Sequence, residues 1–579
     1  MHKLFPLLFL LFAGATFAQK NLPEGTKVTA PNYVKISDGV TLSATILQPA
    51  TGTAPFPTVL LFSPYGDAMS SMDFRPAPDL LRAGYAVVVA SWRGTGCSGG
   101  KLDLGTERFR QDGYELIEWI ATQNWSAKVG MGGSSARGIA TWHVASTQPP
   151  SLTAIAPQTF NANIFTGMTH QGGIPKFFSP LAWSLYAQPM SDIRVLRTAD
   201  KTCLVNREQH SLAAVMGSMQ MLSIHHDHPT YQIQSTDQHA KNVKVPTLMF
   251  LSFYDRYTPA IGSWMFNDVD APKRMLLSNG GHGMSRTPRA VNELIRWFDY
   301  WLKGEDNGVA ADEHSVGILF DISKTTKKES YVREFDSWLP KGLQNLTFEL
   351  QADGKLVGGA AKKGQASYNF SDRFPDKISK PQPLGIDFSR GWQNWEKVEK
   401  DVLTYRSAPV NEDIEIVGEM ELDLTLEVST VDMDVVAVLS EELPNGNVNY
   451  IMRGALRASQ RALDTTATKQ HGRLIYKHTD SEPLTPHQEY QLTVGFPPLA
   501  HRVSKGTRLR LELIPIWVAT AHLGWDFSPL PYAGTATIKS GGLRPSRLQI
   551  PYLPVPTDTP PAIDCTDRPN QPCRVPKSE

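Results

Sequence analysis

The chain has 579 residues and carries 57 basic and 57 acidic side chains, so its formal net charge at pH 7 is zero. A chain of this length exceeds what one hydrophobic core can organise, which predicts two or three domains. Because the sequence has neither a charge excess nor a basic run, it argues against a nucleic acid or an anionic membrane surface as the partner.

The N-terminal segment, residues 1–18, has the pattern of a secretory signal peptide. Lys3 provides a short basic region, residues 4–12 form an apolar run, and the segment ends on the small residue Ala18. The apolar run is too short to span a bilayer, no cysteine follows it that could carry a lipid, and no later segment predicts a membrane span. We therefore expect a secreted or periplasmic protein that is cleaved after Ala18.

Residues 19–308 alternate short apolar runs with amphipathic stretches. Five of the runs are predicted strands, and each is apolar almost throughout, as strands buried on both faces of a parallel sheet are: residues 58–63, 85–90, 128–131, 247–253 and 274–278. Helical patterns cover residues 107–122, 139–147 and 292–303, and the last of them ends at Gly304. This alternation predicts a doubly wound α/β domain.

Two parts of the chain depart from this alternation. Between about residues 160 and 243 the sequence lacks a strong strand and is rich in Met, His and aromatic residues, which predicts a helical cap inserted into the α/β domain. Over residues 309–579 short strand patterns take over, at 414–428, 433–439, 490–496 and 508–514, and a proline-rich tail begins at about Pro551. This region is predicted to be an all-β domain of the jelly-roll type.

Residues 129–138, VGMGGSSARG, carry the strongest chemical signal. A predicted strand runs into Gly133, Ser134 and Ser135, and a helix follows with Gly138 in its first turn. A nucleophilic serine on a sharp strand-to-helix turn needs this arrangement, because small neighbours let backbone approach closely and a helix N-terminus favours negative charge. Ser134 is the rival nucleophile, but Ser135 combines Gly133 two residues before it with Gly138 three residues after it, which favours Ser135. An ordinary structural turn is the alternative for this motif taken alone.

An acid and a base follow in the order that such a serine requires. Asp255 comes directly after the predicted strand at 247–253, and His282 follows the predicted strand at 274–278 between two glycines. In enzymes with this serine turn, the acid and then the histidine lie on loops after later core strands. We therefore predict Ser135 as the nucleophile, Asp255 as the acid and His282 as the base.

Several further motifs, taken together, resemble one family. They are Ser63-Pro64-Tyr65-Gly66, residues 93–100 (RGTGCSGG), Gln171-Gly172-Gly173, His228-Pro229, residues 298–304 (FDYWLKG), Tyr405-Arg406-Ser407, residues 454–458 (GALRA) and residues 506–511 (GTRLRL). Over roughly residues 30–545 the chain resembles the cocaine esterase and X-Pro dipeptidyl-peptidase-like (CocE/NonD) family of α/β-hydrolases. The resemblance implies an α/β-hydrolase domain with a cap, a C-terminal jelly roll, and hydrolysis of esters or amides without a cofactor.

The resemblance also implies an oxyanion hole, and the chain departs from the family pattern at two positions. Tyr65 would donate its phenol and Ala136 its backbone N–H to the oxyanion. The family usually has Tyr where this chain has Ala136, so one wall of the pocket is lost. The family's Arg-Gly loop has Asp where this chain has Ser91, and we expect this to weaken an ion pair of Arg93. Arg137 either meets a substrate carboxylate or forms a salt bridge within its helix.

Neither the histidines nor the cysteines predict a metal site. His225, His226 and His228 lie in the predicted cap, where the family has a structural His-Pro. The cysteine spacings do not fit zinc, and they leave the disulfide pairing open. The four cysteines are Cys97, Cys203, Cys565 and Cys573.

The sequence defines the substrate less well than the reaction. We expect a small-molecule or short-peptide acyl substrate. Family members that bind a free ammonium group need carboxylates near the nucleophile, but residues 160–190 contain no Asp or Glu, and Arg256 and Tyr257 follow Asp255. This favours an esterase or amidase for neutral acyl groups over the alternative, an X-Pro dipeptidyl-peptidase. A secreted binding protein on an inactive hydrolase scaffold is a remote alternative. Three other acids could still fold toward the site: Asp192, Asp200 and Glu208.

Removal of the signal peptide can be tested on the exported protein. If residues 1–18 are removed during export, N-terminal sequencing of protein recovered from the medium or periplasm will find Gln19 as the first residue. A chain that remains in the cytoplasm and retains the leader sequence would contradict this prediction.

Overall fold

The computed structural model describes residues 22–65, 76–176, 191, 200–210, 221, 224, 226–255, 258, 260–282, 287–311, 314–371, 401–515 and 532–575. The predicted signal peptide lies outside these residues, as do much of the predicted cap and the positions of Asp192, His225, Arg256 and Tyr257. Within the described part of the chain, no helix is both long enough and apolar enough to cross a membrane.

Ten of the described strands form one mixed sheet. They are β1 Lys27–Lys35, β2 Thr41–Gln48, β3 Phe56–Ser63, β4 Ala86–Ser91, β5 Ser126–Ser134, β6 Leu152–Gln158, β7 Thr247–Ser252, β8 Lys273–Ser278, β9 Val316–Phe320 and β10 Tyr331–Phe335. Their order is β1-β2-β4-β3-β5-β6-β7-β8-β9-β10. The pairs from β4 to β9 are parallel, and the outer pairs β1–β2, β2–β4 and β9–β10 are antiparallel.

Helices pack on both faces of this sheet. The α-helices of this part of the chain are α1 Ala77–Arg82, α2 Glu107–Ala121, α3 Ala136–Ala145, α4 Lys201–Arg207, α5 Pro229–Gln234, α6 Met265–Asp268 and α7 Pro288–Phe298, and α7 continues as a π-helix over Asp299–Lys303. Apolar residues of α2 and α3, such as Leu116 and Trp142, belong to one core. Residues of α1 and α7, such as Leu80 and Trp297, belong to a second core. Two cores separated by a sheet whose strands are buried on both faces confirm the predicted α/β class.

The sheet extends beyond residue 309, where we placed the start of the C-terminal domain. Strand β9 pairs in parallel with β8, with Val316 opposite Met275, and β10 closes the sheet antiparallel to β9. The alternation of strand and helix gives way to consecutive short strands after α7, and we assigned all of these strands to the second domain. The pairing partner of β9, which no local pattern specifies, places β9 and β10 in the first sheet.

The C-terminal region is all-β, as predicted. Its strands are β11 Gln344–Gln351, β12 Lys355–Val357, β13 Gly364–Ser371, β14 Leu403–Pro409, β15 Ile414–Gly418, β16 Glu421–Val428, β17 Asp434–Glu442, β18 Val448–Arg457, β19 Glu489–Gly495, β20 Leu499–Val503, β21 Arg508–Ile514, β22 Ala533–Ser540, β23 Arg547–Pro554 and β24 Cys573–Arg574; helix α8 spans Thr465–His471. The strand predicted over residues 414–428 is interrupted at Gly418, whose φ is +112°, and forms two strands with different partners. The jelly-roll assignment stays a prediction.

Shorter elements complete the described chain. A small hairpin pairs His170–Gln171 with Ile174–Pro175. A π-helix spans Ile164–Thr169, and 3₁₀ turns span Asp237–Asn242, Ala260–Trp264, Val309–Ala311, Ala458–Gln460 and Cys565–Asp567. Two disulfides resolve the pairing that the sequence left open: Cys97 with Cys203, and Cys565 with Cys573.

A buried ion cluster joins the two domains. Arg568, in the C-terminal tail, lies 3.3 Å from Asp321 after β9 and 3.1 Å from Glu441 in β17, and all three side chains are at most 4% exposed. Burial raises the pKa of Glu441, but the neighbouring His501 and Arg568 outweigh it and hold that pKa below its usual value. Removing one partner of a buried ion pair typically costs about 3–5 kcal/mol. The tail is therefore anchored to both domains at once.

Candidate active site

Ser135 lies at a sharp turn between a strand and a helix. Strand β5 ends at Ser134 and α3 begins at Ala136, and Ser135 between them has φ 65° and ψ −128°. Its N–H donates to the carbonyl of Gln158 at the end of β6, at 2.9 Å. A non-glycine residue in this region of backbone space costs about 1–3 kcal/mol and persists only where its surroundings enforce it. The neighbouring strand and the helix supply that constraint.

Two glycines make the turn possible. Gly133 has φ +136°, and a Cβ there would lie 2.6 Å from the Cβ of Arg137. A Cβ on Gly138 would lie 2.7 Å from the carbonyl oxygen of Gln158. Both contacts are too close for any side chain, which explains the glycine spacing seen in the sequence.

The two serines of the motif have different environments. Ser134 is the last residue of β5, and its Oγ forms a short hydrogen bond with the hydroxyl of Thr159. Ser135 caps α3, and its carbonyl accepts the first helical bond from Ile139. Ala136 is the first residue of α3, so its N–H is one of those that the helix itself cannot satisfy. The geometry therefore places Ser135, with the free helix N-terminus behind it, at the turn.

Asp255 and His282 form a close pair. His282 Nδ1 lies 2.5 Å from Asp255 Oδ2, and the Asp255 side chain is fully buried whereas that of His282 is 34% exposed. Because Nδ1 faces a carboxylate, it carries the proton, and Nε2 is left as the acceptor nitrogen of the neutral ring. The ring is thus oriented as a base that can take a proton at Nε2.

Thr258 holds the carboxylate of Asp255, a role that was not predicted from the sequence. Its N–H donates to Asp255 Oδ1 at 3.0 Å and its hydroxyl donates to Oδ2 at 2.5 Å. These bonds fix the rotation of the carboxylate and leave it facing His282. The spacing Asp-x-x-Thr is a common local capping pattern, so the signal was present in the sequence but not specific.

Four predicted site residues follow the carboxyl ends of parallel strands in one sheet. Tyr65 follows β3, Ser135 follows β5, Asp255 follows β7 and His282 follows β8. Parallel strands bring all their carboxyl ends to one edge, which is where open α/β sheets place ligands. Leu60 of β3 pairs with Met131 of β5. Counted from this pair, Tyr65 is only one residue further along the chain than Ser135, so the two residues leave neighbouring strands at nearly the same level. Tyr65 is buried, with 8% of its surface exposed.

Arg93 does not have the weak ion pair that Ser91 led us to expect. Its guanidinium contacts Asp112 of α2 at 2.5 and 2.6 Å and Asp38 at 3.0 Å. Asp112 is fully buried. These two acids, which are distant in sequence, replace the family's nearby aspartate, so the loop after β4 is firmly held. Burial also raises the pKa of the neighbouring Asp103 to about 6.

The remaining candidates have structural roles or stay open. His228 caps α5 through a 3.2 Å bond from the N–H of Thr230 to its Nδ1. Among the described residues, no group of three or more His, Cys, Asp or Glu side chains is placed to hold a metal ion. Arg137 is buried beneath Gly133, which does not decide between its two interpretations.

The cleft between the two domains contains two cavities that differ in the charged side chains of their lining. One, of about 500 Å³, borders Asp255 and is lined by the cationic side chains of Lys176, Arg453 and Arg568. The other, of about 770 Å³, has Asp227, Asp237 and Glu419 in its lining together with Lys241 and Arg473. Burial raises the pKa of Glu419 to about 7 and raises those of both aspartates. The cavity that borders the candidate acid thus has basic side chains in its lining, and one of them, Arg568, is paired with Asp321 and Glu441.

Two family profiles match the chain. That of the X-Pro dipeptidyl-peptidase (S15 family) matches residues 38–284, and that of the X-Pro dipeptidyl-peptidase C-terminal non-catalytic domain matches residues 307–514. The chain is 22% identical to a protein provisionally named a serine esterase in Mycobacterium tuberculosis (strain CDC 1551 / Oshkosh), across 90% of this chain and 95% of the relative. It is 23% identical to the cocaine esterase of Rhodococcus sp. (strain MB1 Bresler), across 76% of this chain and 84% of the relative.

The fold is also found among solved structures. A CocE/NonD family hydrolase from Staphylococcus aureus matches with a TM-score of 0.73 at 18% identity, over 91% of this chain and 94% of the other. At this identity the match supports the fold alone, and it agrees with the mixed sheet and the C-terminal all-β domain described above.

Proposed function

This chain belongs to the S15 and CocE/NonD family of serine hydrolases, and from this we propose that it is an exported enzyme that cleaves ester or amide bonds through an acyl-enzyme on Ser135. The observation that carries the proposal is the Ser135 turn, with its positive φ, at the same sheet edge as the Asp255–His282 pair. A serine in this position is exposed to substrate and has the helix N-terminus behind it.

The reaction uses the pair as an acid–base system. His282 Nε2 takes the hydroxyl proton of Ser135 as Oγ bonds to the substrate carbonyl carbon, and Asp255 stabilises the imidazolium at Nδ1. Collapse of the tetrahedral intermediate breaks the bond to the leaving alcohol or amine, which receives the proton from Nε2. Water then repeats the two steps on the acyl-enzyme, releases the acid and restores Ser135. No cofactor is required.

The oxyanion would be held by one phenol and one amide. Ala136 N–H points from the start of α3, and Tyr65 lies at the end of the strand beside β5. Donors placed before reaction need no reorganisation when the carbonyl oxygen becomes charged, so their hydrogen bonds strengthen in the transition state. The loss of the family's tyrosine side chain at position 136 leaves the amide donor intact.

The charge around the acid favours substrates without a free ammonium group. The lining of the cavity that borders Asp255 includes Lys176 and Arg453 and, among the described residues, no carboxylate other than that of Asp255 itself. Desolvating an ammonium group is costly unless a carboxylate compensates. We infer that neutral or apolar acyl esters and amides are preferred.

An X-Pro dipeptidyl-peptidase is the second candidate. The S15 profile match and the carboxylates of the neighbouring cavity, Asp227, Asp237 and Glu419, support it. Their raised pKa values weaken the case, because a carboxyl group that is partly protonated attracts an ammonium group less.

Labelling with a fluorophosphonate tests the nucleophile. We expect the probe to modify Ser135, and Ser135→Ala to abolish labelling and lower kcat by several orders of magnitude. Ser134→Ala is the matched control and should still be labelled. Peptide mapping that finds the adduct on Ser134, or no adduct at all, would refute the assignment; no adduct would favour an inactive binding protein.

Tyr65→Phe tests the oxyanion hole. Removal of the phenol hydroxyl should lower kcat by about 10²–10³ with little change in KM, because the bond gains strength only in the transition state. Tyr85→Phe is a matched control, since the Tyr85 hydroxyl bonds Asp299 on the opposite face of the sheet. Equal kcat values for Tyr65→Phe and wild type would show that Tyr65 only fills the core.

A side-by-side comparison of substrates separates the two candidate functions. We expect a higher kcat/KM at neutral pH on short p-nitrophenyl esters than on Ala-Pro anilide, because cationic side chains border Asp255. N-acetylated Ala-Pro anilide is the control, since it has no ammonium group. If free Ala-Pro anilide is the best substrate and acetylation abolishes its cleavage, the peptidase assignment replaces the esterase.

A further inference from the structure

A loop in the C-terminal tail contacts both loops that carry the acid–base pair. The disulfide Cys565–Cys573 closes this tail loop. Strand β24 attaches it to the β domain, where Asn449 pairs with Cys573 and the N–H of Tyr450 donates to the carbonyl of Pro572 at 3.0 Å. Arg568 fixes its other side through the buried ion cluster. The tail loop is therefore attached to both domains.

One side chain of the tail loop reaches both active-site loops. Gln571 is 3% exposed. Its Oε1 accepts a hydrogen bond of 3.1 Å from Asn279, which lies three residues before His282. Its Nε2 donates at 2.7 Å to the hydroxyl of Tyr254, which directly precedes Asp255. A single amide group thus bridges the loop that carries His282, called here the base loop, and the loop that carries Asp255, called here the acid loop.

The partners of Gln571 are themselves held in place. Asn279 Oδ1 accepts from the N–H of Ile322 at 3.0 Å, which fixes the orientation of the Asn279 amide. Gln571 Nε2 also lies 3.1 Å from His501 Nδ1, and His501 Nε2 contacts Glu441 at 3.0 Å. Each polar atom of the Gln571 amide therefore has a fixed partner, and the bridge has one orientation.

A second contact presses the tail loop against the base loop. Asn570 donates to the carbonyl of Gly280 at 3.3 Å. A Cβ on Gly281 would lie 2.2 Å from the Asn570 Nδ2, so the Asn570 side chain packs directly against the backbone beside His282. Gly281 has φ +68°, which favours glycine at this position independently.

We propose that Gln571 is a positioning residue for the acid–base pair, an inference that rests on the proposed function. The bond between Asp255 and His282 joins loops from two different strands, and its length depends on how those loops sit relative to each other. Gln571 sets that separation from outside the catalytic domain's sheet. A misplacement of about 1 Å can cost a reaction as much as about 10²-fold in rate, so a bridge that holds the two loops in place acts on kcat.

The test is Gln571→Leu in the full mature chain, a change that keeps the side-chain volume and removes both polar atoms. We expect kcat for a p-nitrophenyl ester and the rate of fluorophosphonate labelling of Ser135 to fall together by about 10-fold or more, with KM within about twofold of wild type. Gln549→Leu is the matched control. Gln549 lies in β23, donates to Asp423 at 3.3 Å, and should leave kcat unchanged.

A second variant distinguishes positioning from stability. Tyr254→Phe removes only the hydroxyl that Gln571 bonds, and it should lower kcat in the same direction with KM unchanged. Because both changes break one bridge, the double variant should lose less than the product of the two separate losses. Thermal unfolding is measured alongside, since a purely structural role would lower the melting temperature and leave kcat of the folded enzyme intact.

The outcomes are separable. If Gln571→Leu has the kcat of the wild type, or if the losses in the double variant are independent, the positioning role is overturned. The proposed function is unaffected by that result as long as Ser135 of the wild type is labelled. If Gln571→Leu does not fold, Tyr254→Phe alone decides, and a wild-type kcat in it overturns the inference. If wild-type Ser135 is not labelled, the proposed function fails first and this inference fails with it.

Discussion

The hydrogen bond between His282 and Asp255 joins two loops that follow different strands, β8 and β7. The strands themselves, β7 and β8, pair in register from Thr247 opposite Lys273 to Ser252 opposite Ser278. Beyond the last pair, Ser252 Oγ accepts from the N–H of Gly281 at 2.7 Å. A bond of 2.5 Å tolerates little movement between its two ends. The surrounding structure therefore has to hold both loops, and Thr258 and the tail loop are parts that do so.

The same requirement explains the strained backbone at Ser135. Its positive φ is unfavourable by itself, and it is imposed because β5 lies at the centre of the sheet, between β3 and β6, while α3 packs against all three of these strands. The bond from Ser135 N–H to Gln158 fixes the turn against β6. A central strand cannot relax without disturbing both neighbours, so the strain is retained. The serine consequently faces the sheet edge at which the acid and base lie.

The C-terminal domain contributes to the site as well as enclosing it. Arg453 lines the cavity beside Asp255, and Glu419 lines the adjacent, larger cavity. The tail crosses back to the catalytic domain, where Arg568 binds Asp321. Both disulfides fit the proposed export, because such bonds persist in oxidising compartments. The charged lining of the cleft thus comes from both domains together.

The sequence by itself determined the parts of this protein that depend on local pattern. Five central strands were predicted from apolar runs, and the turn at Ser135 was predicted from the positions of Gly133 and Gly138, because buried parallel strands and tight turns restrict the residues within them. The places of Ser135, Asp255 and His282 after strands of the sheet were predictable for the same reason, because each of those strands can be recognised from its own residues.

Only the tertiary structure decided which distant residues meet. It paired Arg93 with Asp112 in place of the acid missing at Ser91, joined Cys97 to Cys203, added β9 and β10 to the first sheet, and brought Gln571 between the acid and base loops. Hydrogen bonds and ion pairs between residues far apart in the chain leave no periodicity and no spacing in the sequence. Their partners are set by how the strands and domains pack, which is a property of the whole fold.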